Sequence, residues 1–133
     1  MIETKGVVHF SIAVSDLDAS RAFYTEVLGL KLVSNAPGFG MVFLRAGEDH
    51  VILCKSETPI QPNAEGSRRV HHAFKVESPE YDRAKGFLKS KGIAIIDEED
   101  RAKGVFVGRQ FYIHDPDRNV IELSEWNGTS KLD

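Results

Sequence analysis

Apolar and polar positions alternate with a period of two across "VVHFSIAV" (7–14), which puts Phe10, Ile12 and Val14 on one side and His9, Ser11 and Ala13 on the other. That pattern predicts a short strand. In the following "SDLDASRAFYTEVLGL" the period lengthens: Ala22, Phe23, Val27 and Leu28 recur at helical spacing, Asp16 or Ser15 can cap the start, and Gly29 can stop the helix. Three more strand-like runs follow at 30–34, 40–46 and 50–55. After a polar, proline-bearing connector, "SETPIQPNAEGS" (56–67), the order returns: strand "RVHHAFKV", helix "SPEYDRAKGFLKSKG" with Pro79 in its first turn and Gly92 as its stop, then strands at "IAIID" (93–97), "FVGRQFYIHD" and "NVIELSEW".

The chain is therefore two copies of one βαβββ unit. A constant offset places His9 on His71, Val14 on Val76 and Ala22 on Ala84. One inserted residue later, Gly29 falls on Gly92 and Leu30 on Ile93. Near the ends of the halves the match reads Val51 on Val120, Ile52 on Ile121 and Leu53 on Glu122. The organisation expected is a single domain over 1–133, with a first module at about 7–55, a second at about 68–126 and a C-terminal tail at 127–133.

Composition narrows the function classes. With 41% hydrophobic residues, 28% charged residues and a net charge of −3, the chain reads as a soluble globular protein without the basic surplus that nucleic acid attracts. No apolar run approaches the ~20 residues needed to span a membrane. "MIETKGVVHFSIAV" lacks the basic start and cleavage site of a signal peptide, so the expected location is the cytoplasm, with no membrane and no nucleic-acid partner. Cys54 is the one cysteine, which rules out an internal disulfide and reads as a buried, inert thiol.

Alternation also sorts the histidines. His72, Phe74 and Val76 share the face of Phe10, Ile12 and Val14, which should pack on the helices; His71, Ala73 and Lys75 share the face of His9. On the last strand Ile121 and Leu123 point to the helices and Glu122 to the second face. A lone carboxylate inside an apolar strand is costly unless it is paired or metal-bound. Two imidazoles at equivalent repeat positions and one carboxylate on the same face make a metal site of the two-histidine, one-carboxylate type: His9, His71 and Glu122. His72 is expected to pack toward a helix, His50 to belong to the tight "GEDH" turn, and Asp115 with Pro116 to form a turn.

The stretches "HFSIAVSDLDASRAFYTEVLGLKL", "HHAFKV" followed by a helix and "KGI", and "FYIHDPDRNVIELSE" resemble the vicinal oxygen chelate superfamily, over about residues 7 to 126. That superfamily includes glyoxalases, bleomycin- and fosfomycin-resistance proteins, extradiol dioxygenases and methylmalonyl-CoA epimerases. The resemblance implies an α+β fold of two βαβββ modules forming a curved, open barrel-like mixed sheet around a divalent metal ion, Fe(II), Mn(II), Zn(II) or Ni(II), usually in a homodimer. Its metal positions fall on His9, His71 and Glu122. Two departures stand out. Leu53 occupies the place of a fourth possible ligand, which counts against glyoxalase I and the epimerases, and Arg118 stands in "DPDRN" where glycine is common.

Three ligands on one side of an octahedral ion leave room for two neighbouring substrate oxygens and for dioxygen or water. The expectation is a small-molecule enzyme, with extradiol-dioxygenase-like oxidoreductase chemistry favoured. The alternatives are a glyoxalase-type lyase or isomerase, a fosfomycin-type thiol transferase, or a non-catalytic protein that sequesters a drug or metabolite as bleomycin-resistance proteins do. Tyr112, similar to a tyrosine lining the site in fosfomycin-resistance relatives, and His114 are the candidate catalytic residues; Ser11, Lys75 and Arg109 are the candidate substrate contacts. The segment "EEDRAKG" (98–104) is expected to be a solvated loop or a mobile lid, and does not resemble the potassium-binding loop of the fosfomycin thiol-transferases.

Overall fold

A computed structural model of the chain describes every residue except 59–61, so that Pro59, Ile60 and Gln61 of the expected connector lie outside the described residues. Two compact units divide the chain, Met1–Ile60 and Gln61–Asp133. The fold is α+β, with one βαβββ module in each unit.

The first unit runs β1 (His9–Val14), α1 (Leu17–Ala22), β2 (Lys31–Ala36), β3 (Met41–Ala46) and β4 (Asp49–Lys55). Its sheet has the order β1-β4-β3-β2, with β1 parallel to β4 and the other pairs antiparallel. Asp16 caps α1 by accepting a hydrogen bond of 3.0 Å from the Ala19 N–H. The helix expected to continue to Leu28 instead widens into a π-helical turn over Phe23–Val27, where the Leu28 N–H donates to the Phe23 carbonyl at 3.2 Å. This widening rotates the inward face. Ser20 and Tyr24 are fully buried, while Ala22, Phe23, Val27 and Leu28, expected inside, are only half-buried.

The second unit runs β5 (His71–Lys75), α2 (Ser78–Ser90), β6 (Asp97–Arg101), β7 (Gly108–His114) and β8 (Val120–Ser124), in the sheet order β5-β8-β7-β6. Tyr81 and Leu88 of α2 are buried, two turns apart on the side where the ring of Tyr81 meets that of Phe111 edge-on. The expected strand at 93–97 is displaced: its first residues are irregular, and β6 covers the acidic segment read as a loop or lid. Charge pairing explains why "DEEDR" is a strand. Arg68 binds Asp97 and Glu99, Arg101 and Gln110 bind Glu99, and Lys85 binds Glu98, so most carboxylates of the edge meet a donor.

The β7–β8 turn is tied by Asp115, whose Oδ1 accepts from the Asp117 and Asn119 N–H groups at 2.9 and 2.8 Å. Arg118 closes it with φ at 66°, the left-handed region that costs an L-residue ~1–2 kcal/mol. Arg118→Gly should therefore raise the unfolding free energy, by at most ~1 kcal/mol after the added freedom of the unfolded chain is offset. A urea titration checks this; a loss of stability would mean that the Arg118 side chain outweighs its backbone strain.

Candidate metal centre

Strand register fixes which side chains meet. In the second sheet His71 pairs with Val120, Ala73 with Glu122, and Glu122 in turn with Tyr112. Side chains of paired residues share a face, so His71, Glu122, Tyr112 and His114 occupy one side, as alternation predicts. Phe74, Phe111, Ile113, Ile121 and Leu123 occupy the other. His72 is half-buried on that second side, and burial lowers the pKa of its imidazole.

His71 Nδ1 lies 2.8 Å from the Arg68 carbonyl oxygen and 3.2 Å from that of Arg69. A carbonyl only accepts, so Nδ1 carries the proton and donates it. The remaining nitrogen, Nε2, lies 2.8 Å from Glu122 Oε2. In the neutral tautomer both of these atoms are lone-pair donors, and so close an approach needs a positive charge: a proton on the ring or a metal ion between or beside them. The Glu122 side chain is only 11% exposed, which makes an uncompensated carboxylate there expensive. The pair has the chemistry of two metal ligands.

Tyr112 closes the pair from β7. Its ring meets that of His71 edge-on at 5.6 Å between centroids, and the Arg68 guanidinium lies 4.1 Å from its centroid. Burial, and then the Glu122 carboxylate, raise the pKa of the phenol. Arg68 therefore acts twice, by its carbonyl on His71 and by its side chain on Tyr112. Its guanidinium is held by Asp97 at 2.7 Å and by Glu99. Hydrogen bonds from Arg101, Gln110 and Arg68 hold Glu99 down to about 2. The segment before β5 is fixed in turn by Asn63, which accepts from the Val70 N–H at 2.9 Å and donates to the Val70 carbonyl at 2.7 Å. Sequence reasoning missed Arg68, Glu99 and Asn63; the available signal was the basic "SRR" directly before the histidines.

His114 is half-buried and lines a cavity of about 440 Å³ with Arg68, Asp97, Arg118, Val120 and the 62–67 segment. Burial, and then the Arg118 charge, lower the pKa of its imidazole. Lys75 is exposed on the face of His71, and Ser11 is exposed on the face of His9.

Three expectations need correction. Arg109, expected to hold a substrate anion, lies on the helix side of its strand. There it makes two bonds of 2.8 Å to Glu125 and one of 2.8 Å to Asp82, with its guanidinium 4.4 Å from the Tyr81 ring centroid. It ties α2 to the sheet. The second correction concerns the repeat: β1 pairs Ser11 with Ile52 where β5 pairs Ala73 with Glu122, so the counterpart of Glu122 is Ile52 rather than Leu53. Both are aliphatic, and neither can ligate a metal. His50, expected in a turn, is a β4 residue paired with His9. Among the described residues no group of three or more His, Cys, Asp or Glu side chains is placed so as to hold a metal ion.

A family model for the Glyoxalase/Bleomycin resistance protein/Dioxygenase superfamily matches residues 6–123, and the chain belongs to that superfamily. Among its relatives, the glutathione transferase FosA of Serratia marcescens is 30% identical over 115 residues, covering 86% of this chain and 77% of that protein. The catechol-2,3-dioxygenase of Bacillus subtilis is 45% identical, over 42 residues that cover 32% of this chain and 15% of that enzyme. Among solved structures, the fosfomycin resistance protein FosX of Listeria monocytogenes, complexed with Mn(II) and sulfate, has a TM-score of 0.76 at 21% identity, covering 94% of this chain and 93% of that one. This last likeness concerns the fold.

The position of Arg109 predicts that Arg109→Ala lowers the melting temperature by roughly 5 °C, as expected for the loss of a few charge-assisted hydrogen bonds. Turnover and substrate KM should not change. Calorimetry and steady-state kinetics on the same preparation check it, and a raised KM with an unchanged melting temperature would return Arg109 to the substrate.

Proposed function

We propose that this chain is a divalent-metal enzyme acting on a small molecule with neighbouring oxygens, and that it opens an epoxide of the fosfomycin kind with a thiol or water as nucleophile. The observation that carries this reading is the His71–Glu122 pair, held at 2.8 Å with Nδ1 of the imidazole committed to a carbonyl. The breadth of the FosA likeness, 86% of the chain, supports this chemistry over the dioxygenase reaction favoured from sequence. His71 Nε2 and Glu122 are proposed as two ligands, and His9, the repeat equivalent of His71, as the third. The ion supplies Lewis acidity to the substrate oxygens.

The surrounding residues have roles that follow from their places. Tyr112, packed against the imidazole of His71, is the proposed hydrogen-bond donor to the leaving oxygen. Lys75 and Ser11 are the proposed polar contacts to substrate, and His114 the proposed wall of the adjoining cavity. The protein is proposed to work as a homodimer in the cytoplasm. No helix among the described residues is long and apolar enough to cross a membrane.

The test is metal content by mass spectrometry after loading with Mn(II), paired with phosphorus NMR of fosfomycin incubated with glutathione, with L-cysteine or with water alone. The wild type should hold about one ion per chain and consume the epoxide; Glu122→Gln should lose at least tenfold in both affinity and rate. A wild type that binds no divalent ion contradicts the reading. The 45% identical stretch shared with the catechol dioxygenase favours one second reading. Oxygen uptake with catechol by the Fe(II)-loaded protein, with fosfomycin untouched, would establish it instead.

A further inference from the structure

The register of the first sheet aligns four basic residues in one row. His9 on β1 pairs with His50 on β4, His50 with Arg45 on β3, and Arg45 with Lys31 on β2. The row crosses all four strands, and its members share the face of Ser11 and Ala13, because paired residues point the same way. At a strand spacing of ~4.8 Å, the backbone distance from His9 to Lys31 is roughly 14 Å. All four residues are exposed, and Lys31, Arg45 and His50 make no ion pair among the described residues.

A sheet gains nothing from this arrangement. Like charges placed directly opposite on neighbouring strands destabilise it, and Lys31 faces Arg45 in that way. The charges on the second sheet are handled differently: Arg68 and Arg101 each sit on a carboxylate of β6. The next row of the first sheet, Ser11, Ile52, Phe43 and Ser34, carries no charge, so the charge is confined to one line at one end.

We infer that this row is an oxyanion-binding subsite, which takes a phosphate, phosphonate or carboxylate carried by a small molecule. Arg45 offers a planar fork of donors to two oxygens at once, Lys31 adds a second permanent charge, and the His50 ring supplies a further N–H. This deepens the metalloenzyme reading, because the row starts at its proposed third ligand and would hold the anionic end of a reactant whose other end reaches the metal. The anion has two sources, the epoxide substrate or an acidic thiol co-substrate, and both present the same chemistry to the row.

The experiment is a backbone-amide NMR titration with inorganic phosphate in the presence of Mg(II). Phosphate should shift Lys31, Arg45 and His50, with an affinity that falls about tenfold or more in Arg45→Gln and further in the double variant with Lys31→Gln. Lys55→Gln, on the other face of the same sheet, should change it less than twofold and controls for net charge. The same shifts in Glu122→Gln keep the row separate from the metal centre: lost metal with retained phosphate binding leaves this inference standing when the other reading fails. In turnover, the reactant whose KM rises in Arg45→Gln is the one that carries the anion. Phosphate shifts that miss the row, or an affinity within twofold of wild type in the double variant, would overturn the proposal.

Discussion

The commitment of His71 Nδ1 to the Arg68 carbonyl is the constraint on which the site depends. Once that nitrogen donates, Nε2 is the atom left to face Glu122, and the contact of 2.8 Å calls for a positive charge. Every neighbouring feature serves to hold this arrangement. Asn63 bonds both backbone groups of Val70, which sets the path of the chain into β5. The Arg68 side chain reaches Asp97 and Glu99, which anchors to the β6 edge the residue whose carbonyl holds His71.

This explains why an acidic edge strand belongs to the machinery of the site. Glu99 gathers Arg68, Arg101 and Gln110, and their hydrogen bonds hold its carboxyl down to about 2. A carboxyl depressed in the folded state contributes stability above its unfolded pKa and loses that contribution as pH falls from ~4.5 toward 2. The edge, and with it the support of Tyr112, is thus secure at neutral pH. On the opposite face Arg109 does comparable work for α2 through Glu125 and Asp82, which leaves the site face free for chemistry.

Much of this was legible in the sequence, for identifiable reasons. The strands carrying His9 and His71 alternate cleanly, so parity alone places those side chains. The run "VILCK" on β4 does not: Val51, Ile52 and Leu53 are all buried, and a strand apolar on both faces offers no alternation to set its phase. The repeat match slipped there by one residue, from Ile52 to Leu53. The strand β6 carries no apolar signal because ion pairs with Arg68 and Lys85, which lie far from it in sequence, satisfy its carboxylates. Arg109 was misplaced although its parity with Phe111 and Ile113 already assigned it to the helix side. The Arg68 carbonyl on His71 and the Asn63 bonds to Val70 involve backbone groups, which no side-chain pattern reveals.

The most direct measurement is long-range nitrogen–proton NMR of the histidine rings, before and after a diamagnetic ion such as Zn(II) is added. His71 should keep its proton on Nδ1 throughout, and Nε2 should shift to a coordinated value when the metal binds, a change abolished in Glu122→Gln. A His71 ring protonated on Nε2 alone, or one whose Nε2 is unmoved by saturating metal, would contradict this.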